Sequence, residues 1–301
     1  MKQPFGYIDT QNPINMPEVP RELIEAHFAD LEIVREIKGG AHKQVYEAEY
    51  DGEHVAFKVV PIDNPRQEEY VQREIESMER IDSPHIPDLF DHTSTEIDDI
   101  PVIVIVEEFC PGETLEQKLE SDGGDLSLGI DVTLTTLNTL PELEEFDTIH
   151  RDIKPGNIII GPDNSVKLID LGVARLQNRT SLTPSFAPFA PGTLQYSAPE
   201  QLNNEKDIQD HRTDQFPTGI VMFETITGEH PFAPDDASIQ IPDAILEGER
   251  KDLEGYIDDP VFESELNEFY KKLTSPEPYQ RFKNAMRALD KFDEIISDAD
   301  V

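Results

Sequence analysis

The chain has 301 residues and a mass of 34.1 kDa, which is enough for one large domain or two packed lobes around a sizeable core. Its 63 acidic residues outnumber the 25 lysines and arginines, and the formal net charge of −38 excludes a nucleic-acid binder held by a basic surface. The single cysteine, Cys110, excludes an intrachain disulfide framework and indicates a reducing compartment. No apolar run approaches the ~18–20 residues of a membrane span, and the N-terminus lacks the apolar core of a secretory signal. The sequence therefore predicts a cytoplasmic protein that binds neither nucleic acid nor membrane.

The excess of acidic residues has two interpretations. The first is a halophile-like surface adapted to molar salt, where the Debye length falls to about 3 Å and like charges repel one another only weakly. The second is an acidic face that recruits basic proteins. The first is favoured, because the acidic residues are more numerous than one basic partner would require.

The first third of the chain is rich in strand signals. Residues 1–25 hold Pro, Asn and other polar residues without a sustained period, which predicts a loosely ordered N-terminal extension. The runs LEIVREI, QVYEAEY and HVAFKVV follow, and the Asp51-Gly52 dipeptide between the second and third is a strong hairpin signal. Residues 66–81 then repeat apolar side chains at helical spacing, and the later run VIVIV is typical of a buried strand.

The rest of the chain is mostly helical. A short strand pair, NIIIG and VKLID, flanks a turn, whereas residues 176–197 predict a long loop of the kind that is usually functional or disordered. The pattern predicts an α+β fold of two lobes with a ligand site in the cleft between them. The expected divisions are the N-terminal extension (1–25), a small β-rich N-lobe with one helix (26–108), a hinge (109–113), a larger helical C-lobe (114–295) and an acidic tail (296–301).

Two segments of the predicted C-lobe combine residues that suit phosphate chemistry. The run HRDIKPGN places the carboxylate of Asp152, the ammonium group of Lys154 and the amide of Asn157 just before a buried strand. The run LIDLG places Asp170 at the end of the returning strand. Carboxylate and amide oxygens are hard donors that suit a divalent metal bridging phosphates.

A third segment, VAFK, lies in a predicted strand of the N-lobe. Period two puts Ala56 and Lys58 on one face, which suits a flat base lying on Ala56 and phosphates reaching Lys58. Together HRDxKxxN, a DxG eighteen residues later, VAxK and APE resemble the signature of eukaryotic-type (Hanks-type) Ser/Thr protein kinases. The resemblance spans roughly residues 30–295. It implies a bilobal protein kinase fold that uses ATP and Mg²⁺.

The resemblance implies a role for each matching residue. Asp152 corresponds to the catalytic base that accepts the proton of the attacking hydroxyl. Lys154 corresponds to the residue that steadies the transferring phosphoryl group and distinguishes Ser/Thr kinases from tyrosine kinases. Asn157 and Asp170 correspond to the Mg²⁺ ligands, and Lys58 to the residue that holds the α- and β-phosphates.

Further nucleotide-binding positions follow from the same resemblance. Glu74 corresponds to the helix glutamate that pairs with Lys58. It lies on a partly apolar helix stripe where a carboxylate needs a cation, and the alternative is a solvated charge. The remaining positions expected to line the nucleotide site are Gly39, Gly40, Val45, Ala56, Glu108 and Cys110.

Structural and regulatory positions complete the resemblance. They are an ion pair between Glu200 and Arg281, Asp214 at the start of the central helix, and Thr193 beside the catalytic aspartate and the substrate. Arg151 and Arg175 are expected to clamp a phosphorylated residue of the long loop, with Thr180 and Thr183 as the candidates. The alternative is that these are ordinary loop hydroxyls and that the arginines pair with carboxylates.

The sequence departs from the family pattern at two sites. In the loop that covers the nucleotide, Lys38 and Lys43 stand where glycines are usual; these lysines either touch phosphate or face solvent, and solvent is favoured. Glu107 stands at the gatekeeper position ahead of the hinge, where a carboxylate is unusual. If Glu107 is buried it needs a partner or a raised pKa, whereas a one-residue shift in strand register would turn it outward.

The function expected from the sequence is a Ser/Thr protein kinase that transfers the γ-phosphoryl group of ATP to hydroxyls of protein substrates, and that also phosphorylates its own long loop. The main alternative is a pseudokinase or scaffold that binds nucleotide and partners without catalysis. Such proteins usually lose one of Lys58, Asp152 and Asp170, and all three are present here. A kinase of small metabolites is opposed by the APE element and Thr193, which serve a peptide substrate. The oligomeric state stays open.

Overall fold

The computed structural model describes residues 18–37, 43–171, 193–235 and 239–299, which form the two lobes that the sequence predicts. The β-strands of the described part are β1 Leu31–Ile37, β2 Gln44–Tyr50, β3 Glu53–Pro61, β4 Leu89–Ile97, β5 Ile100–Glu108, β6 Glu113–Thr114, β7 Ile158–Ile160 and β8 Val166–Leu168. Its α-helices are α1 Arg21–His27, α2 Pro65–Met78, α3 Leu115–Asp122, α4 Leu126–Glu145, α5 Pro199–Leu202, α6 Gln215–Thr227, α7 Ile241–Glu247, α8 Pro260–Leu273 and α9 Ala285–Asp298. Strands β1 to β5 form one antiparallel sheet in the order β1-β2-β3-β5-β4, and β6, β7 and β8 form a small second sheet.

The N-lobe is built on strands β3 and β5, which are buried on both faces. On one face, Phe57 of β3 packs in a core with Ile24 of α1. On the other face, Ile105 of β5 packs in a second core with Ile75 of α2. Burial on both faces explains the continuous apolar run in the sequence of β5, because every side chain of such a strand meets other apolar groups.

The register between β3 and β5 brings three cleft residues onto one face of the sheet. Ala56 lies opposite Glu107, and Lys58 lies opposite Ile105. Directly opposite residues of an antiparallel pair lie on the same face of the sheet, and so do residues two apart on one strand. Ala56, Lys58 and Glu107 therefore lie on the same face as Ile105, which is the face that carries α2. Glu107 is only 3% exposed, and the alternative register that would turn it outward is wrong.

The C-lobe is packed around α4 and α6. Helix α6 is buried along nearly its whole length, and apolar side chains of α4, α6, α8 and α9 share one core. Gly129 of α4 permits the close crossing of these two helices, because a Cβ at this position would lie 2.5 Å from Ile226 Cγ1 of α6. This packing holds the start of α6 next to the loop that precedes β7.

The folded lobes extend beyond the predicted divisions at both ends. Residues 18–25 belong to the N-lobe rather than to a loose extension. Residues 18–20 lead into α1, residues 21–25 lie within it, and Val19 and Ile24 are fully buried. Residues 296–298 continue α9 rather than forming a tail, and Ile296 packs on the C-lobe core. In both places a few apolar residues within a polar stretch pack on the core of the neighbouring lobe. None of the helices within the described ranges is both long enough and apolar enough to cross a membrane.

Strand β4 has no counterpart among the predicted elements. It lies at the edge of the sheet, and most of its residues are exposed or only partly buried. Its sequence, LFDHTSTEI, therefore lacks a clear apolar alternation. This strand forms because its backbone pairs with that of β5, and the local sequence does not predict that pairing.

Candidate active site

The loop between α4 and β7 carries the HRDIKPGN run, and Asp214 fixes its backbone. The carboxylate of Asp214 accepts hydrogen bonds from the backbone N–H groups of His150 at 2.7 Å and Arg151 at 2.8 Å. Arg151 has a φ of 63°, a conformation that a non-glycine residue disfavours, and these bonds hold it. Burial raises the pKa of Asp214 above its ordinary value. His150 and the two N–H bonds act in the opposite direction but do not outweigh burial. These two bonds tie the start of α6 to the loop between α4 and β7.

Asp152, Lys154 and Asn157 lie in one hydrogen-bonded group. Lys154 Nζ donates to Asp152 Oδ2 at 2.9 Å, and Asn157 Nδ2 donates to the same oxygen at 2.9 Å and to the Asp152 carbonyl at 2.8 Å. The side chains of Asp152 and Lys154 are 19% and 23% exposed, so a substrate hydroxyl can reach them from the cleft. Because the amide nitrogen of Asn157 is used in this group, its amide oxygen is the atom suited to bind a metal.

Asp170 follows β8 and joins the two lobes through ion pairs. The Ile169 N–H donates to the Asn157 carbonyl at 2.9 Å, which sets Asp170 beside the catalytic loop. Asp170 Oδ1 lies 2.9 Å from Lys58 Nζ and 2.6 Å from Lys43 Nζ. Burial raises the pKa of Asp170, but the two ammonium groups outweigh it and hold the pKa well below its usual range. Asp170 is therefore a carboxylate anion at any physiological pH.

Lys58 is shared between two carboxylates. Its Nζ donates to Asp170 Oδ1 and to Glu107 Oε2. The side chains of Lys58 and Glu107 are 8% and 4% exposed, so this contact is almost fully removed from water. Burial lowers the pKa of Lys58, but the two carboxylates outweigh it and raise the pKa above its ordinary value. Glu107 thus has the buried cation partner that its position requires.

Lys43 contradicts the prediction that it faces solvent. Its side chain is only 13% exposed, and its Nζ pairs with Asp170 across the cleft. The sequence could not indicate this contact, because it depends on how the two lobes face each other. Lys38, Gly39 and Gly40 lie outside the described residues.

The expected base-binding surface lies on β2 and β3. Val45 lies opposite Lys58 in the β2–β3 pair and is buried, and Ala56 lies two residues before Lys58 and is half-buried. Both side chains therefore share the face of the sheet that carries Lys58. This arrangement provides an apolar surface for a flat base next to a cation for phosphates.

The hinge residues are held by contacts of their own. The carboxylate of Glu108, at the end of β5, pairs with Lys167 of β8 and so links the hinge to the C-lobe. Cys110 is partly buried, and burial together with the neighbouring Glu108 raises the pKa of its thiol to about 11. A thiol with that pKa is protonated near neutral pH and is a packing residue rather than a nucleophile.

The donor set fits Mg²⁺ and a nucleotide. Asn157 and Asp170 supply the hard oxygen ligands that Mg²⁺ prefers. Lys43 and Lys58 supply two ammonium groups on one side of the cleft, which suit the negative oxygens of phosphates.

Other predicted residues have no described side chain. The backbone of Glu74 lies in α2 and that of Thr193 begins a 3-10 turn, but both side chains lie outside the described part of the chain. Arg175, Thr180 and Thr183 lie entirely outside it. The pairing of Glu74 with Lys58 and the roles of the loop residues stay predictions.

Glu200 and Arg281 form the ion pair that the resemblance implies. Arg281 Nη1 and Nη2 donate to Glu200 Oε1 and Oε2 at 2.7 and 2.8 Å, a bidentate geometry, and both side chains are buried. The guanidinium also donates to the carbonyl oxygens of Arg212, Ser275 and Pro276, which uses its remaining N–H groups. This pair fastens α5 to the segment that precedes α9.

A buried polar group around Tyr196 had no signal in the sequence. The Tyr196 hydroxyl donates to Glu224 Oε2 at 2.7 Å, and burial raises the pKa of Glu224 to about 7. His230 stacks edge-on against the Tyr196 ring, with centroids 5.3 Å apart, and burial lowers the pKa of His230 to about 4. A neutral His230 fits its contacts, because Nδ1 accepts the Phe232 N–H at 3.2 Å while Nε2 donates to the Gln195 carbonyl. These residues come from separate elements with no motif spacing.

The fold and the cleft residues together define the class of protein. The model of the protein kinase domain family matches residues 31–292, and the chain therefore belongs to the protein kinase family. Among curated proteins, the chain is 34% identical over 186 residues to the serine/threonine-protein kinase PknB of Mycobacterium leprae, covering 60% of this chain and 29% of that protein. It is 28% identical over 261 residues to the serine/threonine-protein kinase PrkC of Bacillus subtilis, covering 84% and 38%. The chain thus spans about a third of the length of the curated relatives it matches.

Proposed function

We propose that this protein is a Ser/Thr protein kinase that transfers the γ-phosphoryl group of ATP to protein hydroxyls with the help of Mg²⁺. The observation that carries the proposal is the hydrogen-bonded group of Asp152, Lys154 and Asn157, which faces the ion pair of Asp170 and Lys58. The names of the relatives support the Ser/Thr preference, as does Lys154, the residue typical of Ser/Thr kinases.

Each residue of this group has a chemical task. The carboxylate of Asp152 accepts the proton of the attacking hydroxyl. Lys154 Nζ lies 2.9 Å from Asp152 Oδ2, so its ammonium group is placed to neutralise negative charge on the transferring phosphoryl group beside the base. Lys58 holds the nucleotide phosphates. Asn157 and Asp170 would hold Mg²⁺, which would supply further charge neutralisation for the phosphates.

Self-phosphorylation is part of the proposal. Thr180 and Thr183 are the proposed acceptors, and Arg151, next to Asp152 in the catalytic loop, is a proposed ligand for the resulting phosphate. A phosphate adds charge that an arginine can pair with, so this modification would attach the phosphorylated residue to the catalytic loop. The protein substrates themselves are proposed only as Ser- and Thr-containing proteins.

Incubation with γ-labelled ATP, Mg²⁺ and a basic acceptor protein tests the proposal. We expect label on serine or threonine of the acceptor, and loss of transfer when EDTA removes the metal, because the lysines of the cleft alone then neutralise too little of the phosphate charge. Mass spectrometry of the same reaction identifies any phosphate on the kinase itself. A folded protein that binds ATP but labels neither the acceptor nor itself would disprove the kinase assignment.

We also propose that the protein is cytoplasmic and that its acidic surface is adapted to high salt. The support is the net charge of −38, which creates self-repulsion that only salt can screen. The melting temperature is expected to rise from about 0.1 M to about 2 M KCl and to keep rising above about 0.5 M, where ordinary screening is nearly complete. A protein of ordinary net charge, melted in the same series, is the control. A melting temperature that does not change with KCl contradicts this proposal.

A further inference from the structure

Glu107 is a buried carboxylate inside the nucleotide cleft, and its partner is Lys58. The side chains are 4% and 8% exposed, and Lys58 Nζ donates directly to Glu107 Oε2. A carboxylate this deeply buried loses the stabilisation of water, and the direct bond from the Lys58 ammonium group offsets that loss. The pair is therefore a built feature of the site rather than a chance surface contact.

The sheet fixes the position of this carboxylate. Glu107 lies on β5 opposite Ala56 of β3, and Lys58 lies two residues further along the same face of β3. Both strands are interior to the five-stranded sheet, with β2 on one side and β4 on the other. Because ladders of backbone hydrogen bonds hold both strands, the main chain of Glu107 stays at a fixed distance from that of Lys58.

Charge balance in the cleft gives Glu107 a task when nucleotide is bound. Asp170 Oδ1 is the other acceptor for Lys58, and it also accepts the Lys43 ammonium group. When Asp170 serves as a metal ligand, its charge is engaged by the metal. Glu107 is then the carboxylate of this cluster that still holds Lys58, and it leaves the other ammonium donors of Lys58 for phosphate oxygens.

We propose that Glu107 positions Lys58 for phosphate binding, and that it does so from an interior strand of the sheet. This inference rests on the proposed function, because it assumes that Lys58 binds nucleotide phosphates. The family resemblance gives the same task to Glu74, which lies on α2 at the side of the sheet. The direct bond from Lys58 Nζ to Glu107 Oε2 assigns part of this task to β5.

Equilibrium binding of ATP and of adenosine separates this role from a general effect on the site. The variant Glu107→Gln retains the shape of the side chain but loses the charge, and we expect it to weaken ATP binding about tenfold. Adenosine has no phosphates, so its affinity is expected to change less than twofold. Glu96→Gln removes an exposed carboxylate on β4, and it is expected to bind ATP within about twofold of the wild type.

The Lys58→Met background tests whether Glu107 acts through Lys58. If it does, Glu107→Gln has no further effect on ATP binding in that background, because the effects of interacting residues are not additive. Equal losses for ATP and adenosine, or ATP binding by Glu107→Gln within twofold of the wild type, would overturn the proposal. Thermal melts check that each variant is folded, and Glu107→Leu, which leaves no buried amide, takes the place of Glu107→Gln if the latter does not fold. These readouts need no phosphoryl transfer, so they remain decisive even if the kinase assay is negative.

Discussion

Replacement of Asp152 by asparagine is expected to lower the rate of phosphoryl transfer by about 10²–10⁴-fold while ATP affinity stays close to the wild-type value. In the wild type, Lys154 and Asn157 donate hydrogen bonds to Asp152 Oδ2 at 2.9 Å, and the amide oxygen of an asparagine can still accept both. The amide cannot take a proton from the attacking hydroxyl, so only the chemical step loses its base. Single-turnover rates with saturating ATP, together with equilibrium binding of ATP, separate the two effects.

A nearby carboxylate provides a matched control for this variant. Asp163 lies in the exposed turn between β7 and β8, where its Oδ1 accepts the Ser165 N–H at 3.1 Å, a bond that an asparagine can keep. Asp163→Asn changes the net charge by the same amount and is expected to leave the transfer rate unchanged. If Asp152→Asn transfers phosphate at a rate within threefold of the wild type, Asp152 is not the base.

The contacts within the catalytic loop could be predicted from the sequence, because they are local. Asp152, Lys154 and Asn157 are two and three residues apart on one loop, so a hydrogen-bonded group follows from their spacing once the loop is recognised. The ion pair of Glu200 with Arg281 joins residues that are 81 positions apart, and only the family resemblance indicated it. The chemistry of the two side chains alone would not have selected this pair from 63 acidic residues.

The contacts of Glu107 and Lys43 could not be predicted, because each depends on a relation between distant segments. The partner of Glu107 follows from the register of β3 against β5, which the local sequence of either strand does not set. The partner of Lys43 follows from the placement of one lobe against the other. Helix α1 was missed for a related reason: Val19 and Ile24 are buried by neighbours that are remote in sequence.

Removal of one partner of the buried pair Glu200–Arg281 is expected to have the largest effect on stability. Loss of one charge from a buried, hydrogen-bonded pair typically lowers the free energy of unfolding by about 3–5 kcal/mol, since the other charge stays buried without compensation. Arg281→Met is expected to cost more than Glu200→Gln. The arginine also satisfies three backbone carbonyl oxygens, whereas Glu200→Gln keeps a side chain that can still accept from the guanidinium. Denaturant unfolding of each variant measures the difference.

An exposed pair on the same lobe shows whether burial is the cause. Arg287 and Asp290 are 3.6 Å apart on α9, with side chains 72% and 54% exposed, and Arg287→Met is expected to change stability by less than about 1 kcal/mol. The double variant Glu200→Gln with Arg281→Met should be more stable than the sum of the single losses predicts, because it leaves no unpaired buried charge. Additive losses would instead mean that the two residues act separately, with Arg281 stabilising the lobe through the carbonyl oxygens alone.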